Sequence, residues 1–287
     1  MALGKLADAN LAQFMTLTGG AWAAALPLSN LKIAPYKSLP ARQLAPTDLG
    51  SSQFDATFDR ARRVGFVGLT FHTLSLLATY RISVAGIGGS LATPVYQSAW
   101  LNVFPRFNRS MDLAWESPNW WTGRPLVEDI DLRPRNLWIV LPTTILTPAI
   151  RIEIDDHTNI AGYFDIGYLW ASDSWTPTFN FERGRKRGFT PRDQQDEAPS
   201  GRIFTEARTG RRTLNLSWTG LTDTEADRLS DAQARAQGGN PMVFLPDTDS
   251  YAVTAREAFV GALVLEGPTF TYSGAHQATA TITEIIA

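Results

Sequence analysis

Cysteine is missing from the 287-residue chain, which removes disulfides, thiolate metal sites and cysteine nucleophiles together. Histidine is nearly missing. His72, His157 and His276 lie far apart and in no metal-ligand spacing such as HExxH, so a shared metal or acid–base centre would need long-range convergence. Charge is sparse and balanced, with 19% charged residues and a formal net charge of −2, so nothing draws the chain globally to nucleic acid or to an anionic membrane. No apolar run is long enough to span a bilayer; GGAWAAALPL is short and Pro27 ends it. The opening MALGKLADANLAQF lacks the uninterrupted apolar stretch of a signal peptide, and synthesis in the cytoplasm without a signal is expected. There is no GxxxxGK[ST] loop, no complete GxGxxG between a strand and a helix, and no GxSxG elbow, so no phosphate-binding loop or serine-esterase site is expected. Internal repeats and low-complexity segments are absent as well.

What the chain does have is apolar and aromatic material. Hydrophobic residues make up 44%, and nine tryptophans stand among 11% aromatics, enough to bury the cores of one large or two ordinary domains. The most legible stretch is AIRIEIDDHTNIAGYFDIGYLWASDSWTP, residues 149–177. Ile150, Ile152 and Ile154 alternate with Arg151, Glu153 and Asp155, the period of two of a half-buried strand. Asp155–Gly162 is a polar turn, and Phe164, Ile166, Tyr168 and Trp170 line a second strand, so a hairpin is expected here. It would close a first domain, 1–174, and lead into a second, 175–287.

Before this stretch the chain reads as short strands. Leu26–Ile33 is expected as the first, followed by a segment in which Pro35, Pro40 and Pro46 forbid a regular helix or central strand and favour wrapping over a surface. Strands are expected over Arg63–His72, Ala78–Val84 and Asn136–Leu141, with a long excursion from Tyr96 to Asp131 that carries Trp100, Trp115, Trp120 and Trp121. Beyond Trp175, FERGRKRGFTPRDQQDEAPSG is charged and turn-rich and is expected to be an exposed loop. Leu214, Leu216 and Trp218 mark a strand. Thr222 and Glu225 form a capping box for one helix with the apolar stripe Ala226, Leu229, Ala232 or Gln233, and Ala236, stopped by Gly238-Gly239. PMVFLP, Glu257–Leu265 and the final HQATATITEII read as further strands, the last with Thr279, Thr281 and Thr283 on one face.

Candidate sites are few. Asp155-Asp156-His157 has the residue types of a calcium or acid–base site, but a turn between strands uses Asp and Asn to bond its own backbone, and that reading is preferred. Glu128, Asp129 and Asp131 would supply paired carboxylates for glycoside cleavage; an exposed loop is the simpler reading. Arg183, Arg185, Lys186 and Arg187 form a basic run that Asp193, Asp196 and Glu197 offset within the same loop, which favours a solvated or interface loop over contact with DNA. Trp120 and Trp121 would stack on a sugar or on a partner protein, or fill a small core of their own loop. No catalytic, metal or cofactor-binding residue is assigned.

QFDATFDRARRVGFVGLTFHTLSLLATYRISVAG, with Arg151–Asp155 and Gly162–Trp170 of the later stretch, resembles the discoidin-like, galactose-binding-type jelly rolls of tailed-phage tail proteins. Arg211 and Arg212 entering LNLSW, the capped helix after Leu221, GGNPMVFLPD at Gly238–Asp247 and a closing strand ending TEI are similar to tail-tip proteins of the distal-tail or minor-tail kind. The resemblance covers about half of the chain. It implies a mainly β fold: an N-terminal jelly-roll β-sandwich with a Pro-rich N-terminal segment, then a smaller β-rich α+β domain with one helix. It further implies a non-enzymatic structural component of a phage tail tip or baseplate. Such a component forms a ring with copies of itself, a hexamer or else a trimer, and touches tail tube, hub and fibre proteins in the virion. Trp120, Trp121, Arg183, Arg185, Lys186 and Arg187 are then candidate interface residues. The alternative is a host-glycan-binding adhesin that contacts sugar through Trp120, Trp121 and Asp156, and a glycosidase using Glu128 or Asp131 comes third.

Overall fold

The computed structural model describes residues 4–33, 39–131, 134–179, 181, 185–206, 208, 210–237, 240–248, 250–269 and 275–285. They fall into two compact units. The first takes the described residues of Asn10–Ser174 and Ser250–Ala255, and the second those of Met1–Ala9, Trp175–Asp249 and Arg256–Ile286. The chain opens with β1 (Lys5–Ala7), which belongs to the second unit.

The first unit contains β2 (Met15–Thr18), β3 (Ala41–Gln43), β4 (Gln53–Thr70), β5 (Thr79–Val84), β6 (Tyr96–Gln97) and β7 (Leu101–Asn102). A one-turn helix α1 (Val127–Asp131) follows, then β8 (Asn136–Asp155), β9 (Phe164–Ile166) and β10 (Tyr168–Ser172). A seven-stranded antiparallel sheet runs in the order β10-β4-β8-β5-β6, with β2 added to β4 and β7 to β5. Its spine is the pairing of β4 with β8, from Gln53 opposite Glu153 to Thr70 opposite Asn136. The pairing breaks register twice. Phe58–Ala61 loop out of β4 opposite Pro148, and Leu141–Thr144 loop out of β8 opposite Gly65. Both β8 prolines thus sit at the breaks, where a residue without an N–H costs no ladder bond.

Burial follows the alternation. Phe54 and Ala56 on β4 face Ile152 and Ile150 on β8 and Ile82 and Val84 on β5, all in one core. The opposite face carries ion pairs in register. Arg151 donates to Asp55 through Nε and Nη2 at 2.6 and 2.8 Å, and Arg81 to Glu153 at 2.7 and 2.7 Å. A one-residue slip would bury these charges and expose the isoleucines, so the pattern specifies the register. A small sheet of β3 and β9 packs over the core, where Trp22 meets Phe54 and Phe164 edge-to-face at 5.9 and 6.0 Å.

Two expectations for this region change. Leu26–Ile33 is not a strand but contains a 3-10 helix, Leu28–Lys32; Pro27 opens it, and its threefold period puts Leu28 and Leu31 into the core. Residues 149–177 are not a hairpin, since β9 pairs with β3 and β10 with β4. The intervening turn is instead tied to distant segments: Asp156 N donates to Pro46 O at 3.1 Å, and its carboxylate accepts from Ser75. Pro35 lies outside the described residues, whereas Pro40 directly precedes β3.

The second unit adds β11 (Lys186–Thr190), β12 (Gln194–Glu197), β13 (Ile203–Glu206) and β14 (Arg211–Leu221). Helix α2 (Asp223–Ala236), β15 (Met242–Leu245), β16 (Phe259–Thr269) and β17 (His276–Glu284) complete it, while α3 (Tyr251–Glu257) has Tyr251–Ala255 in the first unit and its last two residues in this one. Its six-stranded antiparallel sheet has the order β1-β15-β16-β17-β14-β11. Thr222 caps α2 with the expected capping box, and Leu229 and Ala232 join Leu214, Leu216, Trp218 and Ile282 in the core. Burial disfavours the charged form of Glu225, but hydrogen bonds from Thr178 and Thr222 outweigh it and hold the carboxyl below its usual range.

In the expected exposed loop of 181–201, Phe181 at the start is buried in the core against Phe244, whereas the strands β11 and β12 that it contains have all their residues open to solvent. With neither face buried, the sequence carries no alternation to read. The single expected helix is joined by α3, which takes Glu257 from the expected strand. Gly238-Gly239 and Ile286 lie outside the described residues. Among the described residues no helix is long and apolar enough to cross a membrane.

Candidate functional site

Between β5 and β8 the chain makes an excursion that the short β6 and β7, and Ser98 between them, tie back to β5. Trp100, between them, lies under the Arg81 guanidinium at 4.9 Å from its ring centre, and Arg81 is itself held by Glu153. Residues 103–126 then fold on their own polar groups. Gly123 O accepts from Phe107 N and Asn108 N at 2.7 and 2.9 Å, and Gly123 N donates to Asn119 O at 2.7 Å. The buried Asn119 donates from Nδ2 to Arg124 O at 2.7 Å, and Ser110 Oγ to Trp120 O at 3.0 Å. Gly123 has φ of +61°, and a Cβ there would lie 2.4 Å from Asn108 O, so only glycine closes this loop.

The loop presents tryptophans to solvent. Trp121 is 86% exposed and Trp115 71%, while the half-buried Trp120 meets Trp115 edge-to-face at 5.0 Å. Glu116, next to Trp115, has φ of +63°, a left-handed backbone that costs about 1 kcal/mol or more for a side chain of its kind. Trp115 and Trp120 thus form an edge-to-face pair, and Trp121 stands next in the chain with its ring in solvent. Trp120 and Trp121 were legible in the sequence as a pair; Trp115 was not singled out, and its spacing of five residues in WESPNW was the only signal.

The other candidates are placed as follows. Asp156 is fully buried: its carboxylate accepts from Ser75 N at 3.1 Å, Ser75 Oγ and Asn159 Nδ2 at 2.8 Å, so it anchors the turn and faces away from solvent. Asp129 accepts from Leu126 N at 3.1 Å and Asp131 pairs with Arg135, which spends both on local structure. Glu128 is exposed on α1. Arg185 and Arg187 converge on the buried Glu257, Arg185 at 2.6 and 3.0 Å and Arg187 at 3.2 Å. Lys186 is exposed, and Arg183 lies outside the described residues.

The histidines do not meet. His157 is exposed on the turn, His276 pairs with Asp223 in the second unit, and His72 is buried in the first. Burial, with a smaller contribution from the Arg135 charge, pushes His72 down to about 3, which keeps its ring neutral. Among the described residues no group of three His, Cys, Asp or Glu side chains could hold a metal ion. The first unit also has a cleft lined by Phe104, Phe107, Pro125, Ile130 and Tyr251, where burial pushes the Tyr251 phenol up. Its polar groups include no nucleophile–base pair.

No protein-family model matches the chain, and no curated protein matches it. Solved structures similar to it include the family 32 carbohydrate-binding module of NanJ from C. perfringens, in complex with galactose. That module has 14% identity and a TM-score of 0.37, and the match covers 60% of this chain and 100% of the module. A second is CBM32-1 of a family 31 glycoside hydrolase from Clostridium perfringens, with 14% identity and a TM-score of 0.35, covering 57% of this chain and 97% of that one.

Proposed function

We propose that the chain is a non-catalytic binding protein whose first unit recognises surface glycan through the tryptophan platform of residues 115–121. The observation that carries this reading is the exposure of Trp115 and Trp121 on a loop held by its own hydrogen bonds. Leaving two large apolar rings in water is unfavourable unless something covers them. A pyranose ring offers a flat apolar C–H face of matching size, and a loop already ordered loses little entropy on binding. Asn102 and Arg124, joined at 2.8 Å, flank the excursion and supply groups that can bond hydroxyls at the rim. Titration of the full chain against an oligosaccharide array tests this. Trp121→Ala should weaken the bound sugar at least tenfold while leaving stability unchanged, as for other exposed aromatic anchors. Unchanged binding in that variant, or no sugar bound at all, refutes it. No turnover is expected, and release of reducing ends abolished by Glu128→Gln would demand a glycosidase instead.

A second reading has its own support. Every residue of the two strands of the β12–β13 hairpin is exposed, and a two-stranded hairpin without a buried face is marginal in water by itself. Together with the sequence resemblance, this favours a ring-forming subunit of a phage tail tip, placed among tube, hub and fibre proteins in the virion. Its test is the copy number of the chain in an intact particle.

A further inference from the structure

Two edges bound the sheet of the second unit. At β1, Leu6 exchanges two backbone hydrogen bonds with Trp175, both at 2.9 Å. At β11, the strand bonds to β14 on one side, and all of its residues are exposed. Opposed residues of an antiparallel pair share a face. Phe189 lies opposite Arg212, whose side chain is buried, so Phe189 sits on the core side of the sheet, yet it is 65% exposed. Among the described residues nothing further pairs with β11 and its core-side Phe189 is left exposed, and an open strand edge is a template for another strand.

The charges at the two uncovered features are opposite. Strand β11 and the turn after it carry Lys186, Arg187 and Arg192, while β12 carries Asp196 and Glu197. On the hairpin, Asp196 lies opposite Phe204 and Glu197 opposite Ile203, so each face pairs one carboxylate with one large apolar side chain. Both of those apolar side chains are exposed.

We propose that the β12–β13 hairpin of one copy docks on the β11 edge of a second copy, with its acidic strand against Lys186 and Arg192 and the apolar side chain of one face, Ile203 or Phe204, against Phe189. Two different patches of the same chain meet, so the contact is head-to-tail and each subunit has one of each patch to offer. Opposite charge steers the encounter and rejects the like-charged alternatives, hairpin on hairpin or edge on edge. The proposal goes beyond sugar recognition, which belongs to the first unit, and gives the ring reading a specific surface.

Sedimentation of the full chain over a range of concentrations tests it, with two charge-reversed variants. One carries Asp196→Lys and Glu197→Lys, the other Lys186→Glu and Arg192→Glu. Wild type should exceed the 31.6 kDa of one chain. Each variant alone should associate at least a hundredfold more weakly, since its hairpin and edge now repel. Mixing the two should restore association, because each hairpin then finds an oppositely charged edge, a rescue that misfolded variants cannot give. A wild-type monomer at every concentration overturns the proposal. Association that persists in both variants, or an unrescued mixture, also overturns this surface while leaving sugar binding by the first unit untouched.

Discussion

His72 should make the first unit acid-labile in a window where its carboxylates still hold their charge. The ring is buried, packs edge-to-face on Phe104 at 5.7 Å, and has no hydrogen-bond partner for either nitrogen among the described residues. Its pKa falls from 6.5 in the unfolded chain to about 3 in the fold, through burial first and the Arg135 charge second. Below the unfolded value the unfolded state binds the proton and the folded state does not. Stability is therefore fully present above that value and declines as pH falls toward the folded one. At about pH 5 the deficit is the 1.5-unit gap to the unfolded value at 1.36 kcal/mol per unit, or about 2 kcal/mol. Denaturant unfolding followed by tryptophan fluorescence reads this unit selectively, since of the nine tryptophans only Trp175 and Trp218 lie in the other. Wild type should lose about 2 kcal/mol more than His72→Leu between about pH 7.5 and pH 5, the carboxylates cancelling in the difference. Equal losses in the two proteins would refute a neutral buried ring.

Glu284 is almost wholly buried and accepts from Arg212 N at 3.1 Å and Nε at 2.9 Å. Glu284→Ala would leave the guanidinium buried without its partner and should cost the second unit about 3–5 kcal/mol in equilibrium unfolding. Gly123→Ala would drive a methyl group into Asn108 O and cannot keep the positive φ without strain, so the loop should open. It should therefore lose sugar binding as Trp121→Ala does, although Gly123 has no side chain to touch a ligand; retained binding would show that the loop's closure does not position the rings.

Alternation told most where one face of a strand is buried and the other wet. Ile150, Ile152 and Ile154 on β8, and Leu214, Leu216 and Trp218 on β14, lie where their period of two puts them, and the Thr222–Glu225 box caps α2. What stayed illegible has physical causes. The continuity of β8 was hidden by Pro142 and Pro148, which look like strand ends until the two breaks in register that hold them are known. Strand β11 shows no pattern because neither face is buried. The turn at Asp156 reads as self-contained, yet its carboxylate binds Ser75, a contact that no local periodicity reports. The platform was half visible: Trp120-Trp121 announces itself, but that Trp115 folds against Trp120 depends on Gly123 closing the loop, a property of backbone angles.

The pairing of β1 with β15 has a consequence for how this polypeptide comes into being. Leu6 lies opposite Phe244, so β1 cannot pair until β15, on the far side of the first unit in sequence, has been made. The intervening first unit holds its own sheet and can close meanwhile, but β1 stays unpaired until β15 has been made. A fragment begun at Trp175 would lack that strand and leave the side of β15 away from β16 bare; grafting residues 4–9 behind the C-terminus of such a fragment, as in a circular permutant, is the way to make it soluble alone.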